Sequence, residues 1–66
     1  MNVTINGEIK ELADEVNLAE LLNNLDLPTT RIAIELNNDV VRKKDWQDIK
    51  VSDQDKIEII HFVGGG

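Results

Sequence analysis

The chain has 66 residues, 13 acidic against 7 basic side chains for a net charge of −6, and no cysteine. One small domain is the ceiling at this length, and it buries only about 60% of its unfolded surface, which points away from a self-contained enzyme with an enclosed active site. Leu, Ile, Val and Phe nevertheless supply 22 residues, a third of the chain and well above the roughly 20% below which highly charged sequences stay disordered, so the chain is expected to fold.

Val3 and Ile5 alternate with Asn2, Thr4 and Asn6, the period-2 pattern of a half-buried strand, and Asn6-Gly7 is a strong hairpin signal. A two-residue loop sets Ile5 opposite Glu8, whereas a three-residue loop through Glu8 sets Ile5 opposite Ile9 on one face. Register follows the buried face, which favours the second. Asn17 then caps a helix, with Glu20 placed to complete a capping box. Leu18, Leu21, Leu22 and Leu25 form one apolar stripe at i, i+3, i+4, i+7, and Pro28 is expected to end the helix.

Ile32, Ile34 and Leu36 alternate with Ala33 and Glu35 as another strand, Asn37-Asn38-Asp39 is a turn, and a short strand follows at Val40-Val41. An irregular or single helical turn over residues 44–49 surrounds Trp46, expected to be a satellite core anchor. After a turn at residues 52–55 a last strand is predicted over Lys56–Val63. A lone helix with one stripe covers only one face of a sheet, so the order strand, strand, helix, strand, short strand, strand predicts a two-layer α+β domain over residues 1–63, followed by a flexible glycine tail over 64–66.

In the last strand Ile57, Ile59, His61 and Val63 share one face, and Glu58, Ile60 and Phe62 the other. Both faces carry apolar residues. Either loops bury both, or the uncovered face is a partner-docking patch. The sequence then closes in Gly64-Gly65-Gly66, three residues without Cβ atoms, a thin segment able to thread a narrow tunnel. A terminal carboxylate is a poor electrophile until converted to a mixed anhydride, for which ATP is the natural source. An expression scar is the competing account of the triplet.

No other chemistry competes. Without cysteine there is no disulfide or thiolate metal site, which suggests a reducing, cytoplasmic compartment, and the single His61 excludes a His pair. No apolar run approaches the roughly 18 residues needed to cross a bilayer. The acidic balance opposes nucleic acid, and Arg42-Lys43-Lys44, flanked by Asp39 and Asp45, reads as a solvated turn.

The Asn6-Gly7 hairpin, the Asn17-capped leucine helix, the strand at 32–36, the Asp-rich turn at 53–55 and the closing Ile-Ile-His-Phe-Val-Gly-Gly-Gly together resemble the ThiS family, the sulfur carriers of thiamine biosynthesis. The resemblance covers the whole chain. It implies a β-grasp (ubiquitin-like) fold with the first and last strands parallel at the centre, and a carrier role in place of catalysis. A ThiF-type adenylating enzyme would use ATP to convert the Gly66 carboxylate to an acyl-adenylate. Sulfur from a cysteine desulfurase or other persulfide donor would then make a thiocarboxylate for thiazole synthase. The chain itself would bind no cofactor.

The resemblance also implies a core face of Val3, Ile5, Leu18, Leu21, Leu22, Leu25, Ile32, Ile34, Leu36, Ile57 and Ile59. Partners would dock on Ala33, Ile60, Phe62 and Val63, with Gly64 and Gly65 threading their active sites. One departure is Gly64, where family members often carry another residue. The rival carriers are the molybdopterin-type sulfur carrier, which tends to be longer, a lysine-conjugated ubiquitin-like modifier, and a plain β-grasp binding module.

Overall fold

The computed structural model describes residues 1–62. Its elements are strands β1 (Asn2–Ile5) and β2 (Glu8–Glu11), helix α1 (Leu18–Asn24), strands β3 (Ile32–Leu36) and β4 (Asp39–Val41), a 3₁₀ helix over Lys43–Asp48, and strand β5 (Lys56–His61). The strands form one mixed sheet in the order β2-β1-β5-β3-β4. Only β1 and β5 run parallel, through Thr4↔Lys56 and Ile5↔Ile57, and the other pairs are antiparallel. With α1 and the 3₁₀ helix joined to the core of this sheet, the arrangement is the β-grasp fold, as expected.

Asparagines at the turns make this topology. Asn6 (φ 50°) and Gly7 (φ 85°) both adopt the left-handed conformation, the pattern of a two-residue type I′ turn, as do Asn37 (φ 51°) and Asn38 (φ 74°) between β3 and β4. The first hairpin therefore pairs Ile5 with Glu8, and the three-residue loop expected from the apolar pattern is not formed. Ile9 lies opposite Thr4 and is 78% exposed. The expectation failed because β2 is an edge strand with all four residues exposed: it has no buried face to set the register, so the turn sets it.

Asn6 and Asn37 also act as peptide mimics. The Asn6 side chain accepts from the Ile59 N–H (2.8 Å) and donates to the Ile59 carbonyl (3.3 Å), extending the β1–β5 ladder by one step. The Asn37 carboxamide accepts from the Lys56 N–H (2.9 Å) and donates to Asp55 (3.0 Å). Both clamps fix the central strand, the one that leads to the glycines.

Helix α1 carries the expected capping box: the Glu20 N–H donates to Asn17 Oδ1 (2.8 Å) and the Asn17 N–H to Glu20 Oε1 (3.0 Å). Its end differs from expectation. The helix stops at Asn24, and Asp26 turns left-handed (φ 60°). The Asp26 N–H bonds Asn23 O (3.1 Å) and the Leu27 N–H bonds Leu22 O (3.0 Å), the paired bonds of a Schellman motif. Pro28 lies beyond that stop.

The core comprises Val3, Ile5, Val16, Leu18, Leu21, Leu22, Ile34, Trp46, Val51 and Ile57, with Leu25, Ile32, Leu36 and Ile59 half-buried against it. Trp46 belongs to this main cluster and is no satellite, and its indole N–H donates to Val41 O (3.1 Å). Val16 and Val51 enter the core through a loop-to-loop bridge, Asn17↔Lys50, in which the Val51 N–H bonds Val16 O (2.8 Å).

Candidate functional site

The period-2 parity of β5 divides its side chains as the sequence indicates. Ile57 is fully buried and Ile59 half-buried on the helix side, while Ile60 and Phe62 are 42% and 55% exposed on the open side. Antiparallel pairing with β3 sets Ala33, half-buried, directly opposite Ile60. The Phe62 N–H donates to Arg31 O (2.7 Å), so the pairing continues one residue past β5. Arg31 there is left-handed (φ 60°), turning the chain into β3 beside Phe62. Ala33, Ile60 and Phe62 thus form one apolar patch at the end of the sheet where the chain leaves β5. Val63, Gly64, Gly65 and Gly66, the remaining sequence candidates, lie outside the described residues.

Beside this patch, the next row across the open face reads Glu58, Glu35, Val40, and the row beyond it Ile9, Thr4, Lys56, as the pairings of β1 to β5 dictate. Val40 is 71% exposed. The sequence analysis did not place Val40 or Ile9 on this surface. Alternation in β3 combined with the Asn37-Asn38 turn contained the signal for Val40, whereas Ile9 needed the true hairpin register. His61 is exposed at the end of β5, opposite Ile32.

A cavity of about 560 Å³ opens where α1 meets the 3₁₀ helix, lined by Ala19, Thr29, Lys43, Lys44, Trp46 and Gln47, with no carboxylate, thiol or imidazole among them. Among the described residues no cluster of three or more His, Cys, Asp or Glu is arranged to hold a metal ion, and no helix is long and apolar enough to cross a membrane. What the site presents is an apolar surface, a neighbouring pair of carboxylates, and a sequence of glycines immediately beyond.

The family model of the ThiS family matches residues 3–66, a span that includes the glycines. The sulfur carrier protein ThiS of Bacillus subtilis is 33% identical over 63 residues, covering 94% of this chain and 96% of that protein. A crystal structure of the thiamine biosynthesis protein ThiS from Geobacter metallireducens superposes with a TM-score of 0.87 at 33% identity, covering the whole of both chains. Thiazole synthase of Paramagnetospirillum magneticum is 35% identical over all 66 residues, which make up 20% of that longer protein.

Proposed function

The chain belongs to the ThiS family of sulfur carriers of thiamine biosynthesis, and from that premise we propose that it carries sulfur as a thiocarboxylate on Gly66. The observation that supports this most directly is the family match running through Gly66 on a chain whose exposed apolar patch, Ile60 and Phe62, lies within a few residues of the glycines in sequence.

The chemistry follows from what a carboxylate lacks. Its carbon is shielded by negative charge and has no leaving group. A Gly66 carboxylate oxygen attacks the α-phosphorus of ATP on an adenylating partner, pyrophosphate departs, and the carbonyl carbon now bears AMP as a leaving group. The terminal sulfur of a protein persulfide attacks that carbon and expels AMP. A thiol then cleaves the sulfur–sulfur bond of the resulting acyl disulfide, leaving the thiocarboxylate and a new disulfide. No side chain of this protein is asked to move a proton or an electron pair. It acts as a co-substrate, and the glycines let the terminal carbonyl enter sites that a Cβ would obstruct.

Thiazole synthase is the proposed acceptor. Proteins bearing that name in Paramagnetospirillum magneticum and Magnetococcus marinus contain a segment 35% and 32% identical to this whole chain. A carrier joined to its consumer in one polypeptide raises their effective mutual concentration, which fits a carrier that delivers sulfur directly.

The decisive test is intact-mass measurement after incubation with an adenylating enzyme, ATP and a persulfide donor. Exchange of one oxygen for sulfur is expected, dependent on ATP. Oxidation of Met1, the one methionine, adds nominally the same mass, so the change has to be located in the C-terminal fragment. A chain that remains unmodified with an enzyme active on another carrier overturns the proposal. The docking reading makes a second prediction: Phe62→Asp, which puts a charge at a position already 55% exposed, should leave the melting temperature within a few degrees and weaken binding to the adenylating enzyme at least tenfold. Titration calorimetry with the folded variant checks this, and an unchanged binding constant removes the open face from the docking surface.

A further inference from the structure

Glu35 and Glu58 face each other directly across the β3–β5 pairing, on the open face, in the row adjoining Ala33, Ile60 and Phe62. Directly opposed residues in an antiparallel pair have Cβ atoms about 4.5–5.5 Å apart, and like charges there oppose folding. Both side chains are half-buried. Glu58 has partial relief from Lys56, two residues back on the same face, whose ammonium lies 3.6 Å from Glu58 Oε1. That ammonium also donates to Asn38 Oδ1 (3.2 Å) at the β3–β4 turn. Glu35 has no ion pair among the described residues. A neutral strand-compatible residue such as Gln or Thr at position 35 would remove that repulsion.

We propose that the partner on the open face inserts a basic side chain, arginine or lysine, between Glu35 and Glu58, and that this pair selects the partner by charge while the adjoining apolar patch supplies contact area. This rests on the reading that the open face docks the adenylating enzyme, and deepens it by naming the chemistry the partner brings. A planar guanidinium suits the geometry, since it presents paired donors to both carboxylates. A second copy of this chain is the wrong occupant. It would bring the same carboxylates to the interface on a body already at −6, so the pair also keeps an exposed apolar patch from self-association.

The signature is a pair of effects opposite in sign. Glu35→Gln removes one of two opposed charges, so its melting temperature should equal or exceed that of the parent chain. Its affinity for the adenylating enzyme should fall about tenfold at low salt, with the difference shrinking at about 0.3 M salt, where charges are screened over less than ~10 Å. Asp48→Asn, a change of equal charge at an exposed position of the 3₁₀ helix, is the control and should leave affinity unchanged. The proposal is overturned if Glu35→Gln binds as tightly as the parent, if its loss is independent of salt, or if Asp48→Asn weakens binding equally, since net charge alone would then suffice. Phe62→Asp separates the two levels. If it weakens binding while Glu35→Gln does not, the docking face stands and charge selection falls; if neither weakens binding, both fall.

Discussion

A chain carrying one alanine after Gly66 is expected to melt at the same temperature as the parent and to give no detectable thiocarboxylate. Stability should not change because the buried cluster runs from Val3 to Ile57 and β5 ends at His61, so the addition lies beyond every contact that holds the described residues together. Reactivity should vanish for two reasons. The Gly66 carbonyl becomes a peptide amide, whose nitrogen is a very poor leaving group. The carboxylate that remains sits one residue further out, behind a Cβ, where it no longer meets the α-phosphorus in the geometry that gives proximity its rate advantage. The measurement is the C-terminal fragment mass after complete reaction, with intact mass showing that no trimming occurred. Sulfur on the added alanine, or thiamine synthesis supported by the untrimmed chain, would show that a terminal glycine is not what partners recognise.

The proposed division between a fold that presents and a terminus that reacts rests on features largely visible in the residues, for physical reasons that also mark where reading stops. The capping box of α1 and the left-handed backbone of the asparagine turns are set within a few residues, so sequence carries them, although the bonds Asn6 and Asn37 make to β5 and the turn leading into it are long-range. The parity of Ile57, Ile59, Ile60 and Phe62 follows from the pleat alone and located the open face before any pairing was known. Val16 and Val51 were not legible as core, because what buries them is a loop-to-loop bridge across more than thirty residues of chain, with no periodicity around either. The register of β1 on β2 failed for the opposite reason: a pattern was read where an exposed edge strand imposes none. The Glu35 and Glu58 pair needed the β3–β5 register, a long-range pairing that neither strand encodes by itself. Ends of elements shifted too, since Asp26 in a left-handed conformation closes α1 before Pro28 can.

Ile57→Ala should be among the most damaging truncations of the core and yet spare the chemistry of the molecules that remain folded. Ile57 is fully buried in β5, paired with Ile5 on one side and Leu36 on the other, so truncation removes three carbons from the middle of the core. Replacements of this kind cost about 3 kcal/mol, because the lost transfer free energy is joined by the cavity left behind. A domain of this size holds on the order of 5 kcal/mol in total, and each kilocalorie moves its midpoint by about 4–8 °C, so a drop of roughly 15–20 °C is expected by calorimetry. Well below that midpoint the variant should still accept sulfur at a rate close to the parent's. The open face is built from the opposite parity of the same strand, and the reacting carbonyl lies nine residues further on. A drop in sulfur loading much larger than the unfolded fraction explains would mean that β5 does more than hold its two ends in place, and that the helix-side packing reaches through the sheet to the surface its partners read.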